Sequence, residues 1–470
     1  MEWRQVQGLN HRKTPKHKYT MSEIYLILSV LFAWMQKLSC SVTVMDSISR
    51  YAVIIDAGSS GSRVRVFGWE NEFGLPQGVE ELHSYKTRPG ISVYVDDLHS
   101  LKKYVQTLLD HATEAVPSSK HSSTPIYLMA TAGMRLILEN KAKGVMDYLD
   151  ELLQDTSSNP FMFKSRNCRI LSGEEEGVFM WIAANYLRGY FTGDVPDSVG
   201  ILELGGASLQ IAFHTEGPLL ADKFPVLIGR QIYELYVHSY LQYGQASTMK
   251  WVLDYIARHH PDNATLDCPC LLKGDHHTHT LNTGMKITFA GSGDAVACRT
   301  ILEEFVYDVD PVRCFPKPCS IGTVYQPTIP ENKVFFAVSA FVYTTKVLKV
   351  VGEDGQLSLD QFSKASKTYC AKHLEVAHNE TGIDKQYLSN YCLTGTYMPV
   401  LFTNGFGFAS NSDQIYVKDE IEDIAAEWAL GALLYENELL PVCQNRAPSC
   451  GISILSIFLI FTIFLLNNIS

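Results

Sequence analysis

The sequence predicts an α/β protein with two domains and a ligand site between them. The chain has 470 residues, more than one hydrophobic core usually serves, so two domains are expected. Apolar runs typical of strands alternate with helical patterns, as in α/β proteins. A strand, a loop of small residues and a second strand occur in that order twice, over residues 51–69 and 200–213. Because the pattern recurs, we expect two similar loops to face each other across one site.

The first of these loops is suited to hold a phosphate group. An apolar run ends at Asp56 and breaks into a loop without bulky side chains, and an alternating strand follows. Gly58 and Gly61 permit a close approach of the backbone. Successive N–H groups and serine hydroxyl groups of such a loop can point at one anion. The predicted phosphate-binding residues here are Ser59, Ser60, Gly61 and Ser62.

The second loop repeats this order with a different acid. Glu203 takes the position of Asp56, and small residues continue to Ser208. Two such loops would hold a polyphosphate from both sides, and their two carboxylates would hold a divalent cation between them. A hairpin with a glycine turn explains either loop equally well when it is taken alone. Only the paired occurrence favours the phosphate site.

The charge of the chain argues against a nucleic-acid partner. The formal net charge is -11 at pH 7, whereas binding to nucleic acid needs concentrated Lys and Arg. An acidic protein that binds an anionic nucleotide needs local donors or a bridging metal ion. The sequence has no Walker A pattern, G-x-x-x-x-G-K-[ST], which excludes a phosphate site of the P-loop type.

Both ends of the chain predict attachment to a membrane. Residues 1–45 combine a basic start with an apolar run over 24–35, which is typical of a signal peptide or an uncleaved signal anchor. Residues 451–470 contain an apolar run over 452–466, which predicts a membrane anchor or, alternatively, a lipid-anchor signal. We therefore expect contact with membrane lipid. The catalytic body is expected to be extracellular or in the lumen of the Golgi and secretory pathway.

The cysteines agree with an oxidising compartment. Cys314 and Cys319 can close a small loop, and Cys370 with Cys392 would tie a helical region to the segment after it. A zinc site at 268–270 is a weaker alternative, because the cysteine spacing does not match common zinc sites. The cysteines between the two apolar ends are odd in number, which leaves one thiol over; they are Cys168, Cys268, Cys270, Cys298, Cys314, Cys319, Cys370, Cys392 and Cys443. Two N-glycosylation sequons, which also indicate a secretory compartment, begin at Asn263 and Asn379.

A helix predicted over residues 174–187 begins with three consecutive carboxylates. Ser172 and Glu175 fit a capping box, and acids in a first turn complement the helix dipole. The alternative is catalysis, for which only one of the three acids needs to face a cleft. Upstream, a buried strand over 125–130 runs into Thr131, either as a plain turn or at a ligand-binding sheet edge.

The second half of the chain is less regular. Residues 233–257 and 420–440 are predicted to be helical, and the His-rich stretch 275–279 is predicted to be a solvated loop. Tyr343 and Tyr391 are core residues in one interpretation and a stacking platform for a nucleobase in the other.

Five motifs, taken in order, resemble the conserved regions of apyrases. They are residues 56–63, 131–135, 172–177, 204–210 and 336–343. From about residue 50 to about residue 442 the chain is therefore similar to the apyrase, or nucleoside triphosphate diphosphohydrolase, family. The resemblance implies an α/β, actin-like (ribonuclease-H-like) fold of two lobes with the active site in the cleft between them. Lobe I would comprise 46–171 and 418–446, and lobe II would comprise 172–417.

The resemblance also implies a role for each motif residue. Asp56 and Glu203 would hold Ca²⁺ or Mg²⁺, largely through water, and Glu175 would be the general base that takes a proton from the attacking water. Ser208 and Gln210 would position that water, with Thr131 near it. The phosphates would be bound by Ser59, Ser60, Gly61, Ser62, Leu204, Gly205, Gly206 and Ala207, and the base by Tyr343 and Tyr391.

The predicted function is hydrolysis of terminal phosphates of nucleoside tri- and/or diphosphates, dependent on a divalent cation, on the luminal or extracellular side of a membrane. Glu203 and Leu209 stand where the family usually has Asp and Thr, and one extra methylene moves a carboxylate by about 1.5 Å. A nucleotide-binding protein of the same fold that does not hydrolyse is therefore the alternative. A kinase of the same superfamily is disfavoured by the luminal location. Assembly into a homo-oligomer stays open.

Overall fold

The computed structural model describes residues 50–70, 79–194, 196–228, 231–261, 263–281, 283–307 and 312–437. These residues belong to one compact unit. The two predicted membrane segments, 1–45 and 451–470, and Cys443 lie outside the described residues. Within the described ranges, no helix is both long enough and apolar enough to cross a membrane.

The first sheet has five strands and carries the first predicted loop. Its strands are β1 (Arg50–Ala57), β2 (Ser62–Trp69), β3 (Glu80–Thr87), β4 (Ile126–Ala130) and β5 (Cys168–Ile170), in the order β3-β2-β1-β4-β5. β1, β4 and β5 run parallel, and β2 is antiparallel to both of its neighbours. The helices near this sheet are α1 (Leu98–Ala115), α2 (Ala132–Arg135) and α3 (Glu139–Gln154). Because successive strand residues face opposite sides, Val53 and Ile55 pack with α1 and α3, while Ala52 and Ile54 face the other way.

The second sheet has six strands and carries the second predicted loop. Its strands are β6 (Gly200–Leu204), β7 (Ser208–His214), β8 (Lys223–Ile228), β9 (Gln231–Leu241), β13 (Phe335–Ser339) and β14 (Ile415–Val417), in the order β14-β13-β6-β7-β9-β8. β6, β13 and β14 run parallel, and β7 is antiparallel to β6 and β9. The hairpin of β6 and β7 therefore repeats that of β1 and β2. Smaller pieces are β10 (Thr265–Cys268), β11 (His276–Thr280), β12 (Lys286–Gly291), β15 (Glu420–Ile421) and β16 (Ile424–Ala425).

Two apolar helices lie between the sheets. They are α4 (Gly173–Leu187) and α11 (Trp428–Glu436), and one buried cluster joins both of them to residues of β1, β2, β6 and β13. The other helices are α5 (Gln245–His259), α6 (Ala295–Val306), α7 (Ala340–Leu348), α8 (Leu359–Cys370), α9 (Leu374–Thr381) and α10 (Lys385–Val400), which leads into a π-helical turn at Leu401–Gly405. Most of these helices pack in a second large cluster on the outer side of the second sheet. The two loops are thus attached to sheets that are packed on both faces.

Three predicted elements are wrong. Residues 233–257 are not one helix, because Gln231–Leu241 is a strand that pairs with β8 and β7, and the helix begins only at Gln245. The His-rich stretch is an edge strand, since His276–Thr280 pairs with β12 and leaves its other edge open. Residues 420–440 are not helical throughout: β15 and β16 occupy the start, and the helix begins at Trp428. The division into lobes at residue 171 stays a prediction.

The disulfide bonds agree with the sequence and add one. Cys314–Cys319 and Cys370–Cys392 form as predicted, and Cys270 pairs with Cys298. Because Cys270 is in a disulfide, the alternative zinc site at 268–270 is wrong. Among the described cysteines, Cys168 and Cys268 are free.

Candidate functional site

The two predicted loops face each other across a cavity of about 170 Å³. Both loops approach closely, because a Cβ added to Gly206 would lie 2.5 Å from Ser59 Oγ. The cavity is lined by residues of both loops, by residues of β3 and α7, and by the start of α11; they include Asp56, Ser59, Ser60, Gly61, Arg63, Lys86, Thr131, Glu176, Glu203–Ser208, Ser339, Tyr343 and Glu427. A larger cavity of about 870 Å³, beside 350–361 and 410–413, shares none of these residues.

The second loop presents backbone N–H groups away from α5. The carbonyl oxygens of Gly205 and Gly206 accept hydrogen bonds from the N–H groups of Gln245 (3.0 Å) and Ala246 (2.9 Å), at the start of that helix. In a trans peptide the carbonyl and the following N–H point in opposite directions. The N–H groups of Gly206 and Ala207 therefore point away from α5, which is the arrangement that an anion-binding loop needs.

Two buried carboxylates end the strands that precede the loops. Asp56 Oδ1 and Glu203 Oε2 are both buried without a hydrogen-bond partner among the described residues. Burial, with the nearby charges of Glu427 and Glu176, raises the pKa of Asp56 to about 7. Burial also raises the pKa of Glu203 well above its usual value, and the charge of Glu176 adds to this. A positive charge nearby would stabilise the ionised form of both carboxylates.

A divalent cation fits this pair. Unpaired carboxylate oxygens are the ligands that Mg²⁺ and Ca²⁺ prefer, and Mg²⁺ commonly takes only one or two carboxylates and completes its shell with water and phosphate oxygens. Within the described ranges no cluster of three or more His, Cys, Asp or Glu side chains forms a complete metal site. Asp56 and Glu203 could therefore serve as two ligands, and a bound phosphate would add others.

Glu175 is not in the cavity. The capping box predicted from the sequence is confirmed: Glu175 N–H donates to Ser172 Oγ at 3.1 Å, and Ser172 N–H donates to Glu175 Oε2 at 2.9 Å. Arg169 Nη1 donates to the other carboxylate oxygen at 2.6 Å. Both oxygens of Glu175 are thus used in structural contacts, and the position of this residue does not support its predicted role as the base.

The acid that lines the cavity is the next residue, Glu176. Its Oε2 accepts hydrogen bonds from Arg135 Nη2 at 3.1 Å and from Gln210 Nε2 at 3.2 Å. Burial raises the pKa of Glu176, and Arg135 opposes this shift. A raised pKa brings a carboxylate closer to the value that a general base needs at neutral pH.

Ser208 and Gln210 lie beside Glu176. Gln210 Nε2 donates to Ser208 Oγ at 2.7 Å and to Ser239 Oγ at 3.1 Å. Ser208 and Thr131 line the cavity, while Gln210 lies behind them and contacts both Ser208 and Glu176. The structure therefore brings together Glu176 and the three residues that the sequence predicts around the attacking water.

The two tyrosines occupy different positions. Tyr343 lines the cavity and is 54% exposed, so its ring is accessible to a ligand. Tyr391 is half-buried, packs edge-on against Tyr369 with ring centroids 6.4 Å apart, and does not line the cavity. A sandwich of a base between Tyr343 and Tyr391 stays a prediction.

The sequence profile of the GDA1/CD39 (nucleoside phosphatase) family matches residues 42–449. The chain belongs to the GDA1/CD39 family. The chain is 31% identical over 446 residues to ectonucleoside triphosphate diphosphohydrolase 1 of Bos taurus. This alignment covers 85% of this chain and 83% of that protein. It is 30% identical over 410 residues to probable apyrase 3 of Arabidopsis thaliana, with 82% of each chain covered. The predicted resemblance and the prediction of an enzyme of the nucleoside phosphatase class are confirmed.

A solved structure of nucleoside triphosphate hydrolases from Neospora caninum superposes with a TM-score of 0.64. The match covers 89% of this GDA1/CD39 chain and 98% of that chain at 16% identity, which shows the fold alone. The predicted α/β, two-lobed fold class is confirmed.

The sequence did not predict several of the residues that line the cavity of this GDA1/CD39 chain. In the sequence Glu176 is only one of three adjacent acids. Its position around the helix axis places it, and not its two neighbours, in the cavity. Arg63 and Lys86 face the cavity because of strand register, and Glu427 does so at the start of α11. Ser339 is the last residue of the buried strand β13 in the fifth motif, and a small residue at such a strand end indicates a ligand-binding sheet edge.

Ser339 combines backbone strain with a contact to Glu203. Its φ and ψ of 61° and -122° are unfavourable for a residue with a Cβ, and its hydroxyl donates to Glu203 Oε1 at 3.2 Å. We expect Ser339→Gly to relieve strain of about 1–3 kcal/mol while losing a hydrogen bond of about 0.5–1.5 kcal/mol. The variant should unfold at a higher temperature and release phosphate more slowly, because Glu203 loses an orienting donor.

Ser339→Ala is the matched control for this prediction. It also loses the hydroxyl but keeps the strained Cβ, so it should unfold at a lower temperature than the native chain. The measurement is the thermal unfolding temperature of the native chain, Ser339→Gly and Ser339→Ala. Equal destabilisation by Gly and Ala would show that strain at residue 339 is absent.

Proposed function

We propose that this chain hydrolyses the terminal phosphates of nucleoside tri- and/or diphosphates with a divalent cation, Ca²⁺ or Mg²⁺, held by Asp56 and Glu203. The observation that carries the proposal is the pair of unpartnered, buried carboxylate oxygens beside two phosphate-type loops. When bound there, the cation would neutralise phosphate charge. The names of the relatives, a triphosphate diphosphohydrolase and an apyrase, support the same substrate class.

Glu176, rather than Glu175, is the general base of the proposed reaction. A water oxygen attacks the terminal phosphorus, the bond from that phosphorus to its bridging oxygen breaks, and the water proton passes to Glu176. Ser208 and Thr131 line the cavity near this acid and would hold the water, while Gln210 fixes Ser208. Arg135 holds the carboxylate in place through its 3.1 Å contact.

The two loops hold the phosphates of the substrate. Ser59, Ser60, Gly61 and Gly205 line the cavity and contribute hydroxyl or N–H donors, as do the neighbouring Gly206 and Ala207. Ser62 does not line the cavity, and its backbone N–H donates to Tyr104 Oη at 3.0 Å. Leu204 contributes backbone to the cavity wall, and its side chain is buried in the core. Tyr343 is the stacking surface for the base.

The proposed location is the extracellular or luminal side of a membrane. The three disulfide bonds favour an oxidising compartment. Attachment to membrane lipid, assembly into a homo-oligomer and glycosylation stay predictions, as do the lobe boundaries at 46–171 with 418–446 and 172–417.

Removal of the cation tests this proposal. The full-length protein is assayed for phosphate release from ATP, ADP, UTP, UDP and GDP with Ca²⁺, with Mg²⁺ or with a chelator. Because charge neutralisation by a metal is worth several kcal/mol, we expect the chelator to reduce release at least about a hundredfold. Equal release with and without chelator would contradict the metal site. Nucleotide binding without release under every condition would favour the non-hydrolysing alternative.

A further inference from the structure

The first sheet places three charged residues in a row across the cavity. In the antiparallel register, Asp56 of β1 is opposite Arg63 of β2, and Arg63 is opposite Lys86 of β3. Side chains directly opposite on antiparallel strands share one face, with Cβ atoms about 4.5–5.5 Å apart. All three residues line the cavity. The row therefore leads from the proposed metal ligand outward along the cleft.

Most cations near the cavity already have a carboxylate. Arg63 and Arg65 both form ion pairs with Glu427, and Arg65 also pairs with Glu81. Arg135 pairs with Glu176 in the same way. These arginines therefore hold protein carboxylates in place, and their charge is largely neutralised before any substrate binds.

Lys86 differs from these arginines. No hydrogen bond or ion pair joins its ammonium group to any residue in the described part of the chain, although the residue lines the cavity. Partial desolvation and the neighbouring charges of Arg63 and Arg88 lower its pKa. An ammonium group that lines a cavity without a carboxylate partner attracts an anion more strongly than a neutral group.

The position of Lys86 identifies which part of a nucleotide it can reach. Strands are spaced about 4.7–4.9 Å apart, so Lys86 lies two spacings, about 9–10 Å, from the backbone of Asp56. Arg63, between them, is influenced electrostatically by both Asp56 and Tyr343. Lys86 lies one strand beyond Arg63, on the side away from Asp56, and therefore away from the phosphate that is transferred.

We propose that Lys86 is a specificity-determining residue that binds the phosphate next to the nucleoside in nucleoside triphosphates. This inference rests on the proposed function, in which the terminal phosphate is held at Asp56 and Glu203. In a triphosphate the leaving-group charge develops on the phosphate next to the terminal one, so Lys86 contacts a group that keeps its charge throughout the reaction. It therefore contributes equally to the ground state and the transition state, which affects KM rather than kcat.

The test compares Lys86→Gln and Lys86→Arg with the native full-length protein, using ATP in the presence of Ca²⁺. We expect Lys86→Gln to raise KM about tenfold and to change kcat less than about twofold. Lys86→Arg should restore most of the affinity, because it keeps the charge. Lys143→Gln is the matched control: Lys143 lies on α3, pairs with Asp147 at 2.5 Å and is outside the cavity, so KM should not change.

The results separate this inference from the proposed function. An unchanged KM in Lys86→Gln overturns the inference, and so does a fall in kcat without a change in KM. If the native protein releases no phosphate, the proposed function fails, and the dissociation constant of a non-hydrolysable ATP analogue is measured instead. Tenfold weaker binding by Lys86→Gln then still supports Lys86 as a phosphate ligand, whereas equal binding, or no binding by the native protein, overturns it.

Discussion

Replacing Glu176 with Gln should reduce phosphate release by about 10²–10⁴, the range typical of a lost general base. Glutamine keeps the size of the side chain and can still accept a hydrogen bond from Arg135, but it cannot take a proton from water. The cavity, the loops and the proposed metal ligands stay unchanged, so the loss should appear in kcat. The measurement is steady-state phosphate release at saturating nucleotide, together with a nucleotide dissociation constant that should change little.

Glu175→Gln is the matched control, because it makes the same chemical change one residue earlier. It weakens the ion pair with Arg169 and the capping box with Ser172, but it does not alter the cavity. Ser172 remains as the cap and glutamine also fits a capping box, so the loss is about 0–1 kcal/mol from the part-exposed ion pair, and this variant should keep most of its activity. A loss of activity in Glu175→Gln with near-normal activity in Glu176→Gln would restore Glu175, the residue predicted from the sequence.

The sequence could identify this helix start but not which of its acids lines the cavity. Ser172 with Glu175 is a recognisable capping pattern, and the structure confirms it. Consecutive helix residues are turned by about 100° relative to one another, so three adjacent acids point in three directions. An amphipathic helix would reveal which direction faces the core, but α4 is buried from Val178 to Asn185 on every side. Its rotation is set by packing between two sheets, which only the fold shows.

The loops could be predicted because their signals are local. Each consists of one strand, one acid, small residues and another strand, and the structure shows β1 with β2 and β6 with β7 in this arrangement. The row of Asp56, Arg63 and Lys86 could not be predicted in the same way. It depends on the register of β3, whose residues lie about 20 positions further along the chain and alternate between intermediate and exposed. Register belongs to the pairing of strands, not to either strand alone.

The wrong helix over 233–257 has a related cause. Residues of β9 such as Tyr236 and Val237 are buried on both faces of the sheet, so apolar residues occur at helical as well as strand spacings. These residues form a strand because β7 is available as a pairing partner. Long-range pairing of this kind overrides local preference.

Gly431→Ala should have the largest effect on stability. Gly431 lies in α11 where this helix meets α4, and a Cβ added to it would be 1.8 Å from the carbonyl oxygen of Phe179. That oxygen belongs to a buried helix backbone, so it cannot rotate away as the end of a flexible side chain could. The two helices would have to separate between the two sheets. Overpacking of this kind costs about 1–3 kcal/mol, and more where backbone must move.

Gly144→Ala gives the opposite expectation at a matched helical position. Gly144 is exposed on α3, and nothing lies within 4 Å of an added Cβ, so alanine should stabilise the helix by about 0.5–1 kcal/mol. Thermal or urea unfolding of both variants measures the difference. Because α4 also carries Glu176, any Gly431→Ala protein that remains folded should have a lower kcat, whereas Gly144→Ala should keep the native value. Equal stability of the two variants would show that α4 and α11 do not pack through Gly431, which would contradict the position of Glu176 at the cavity.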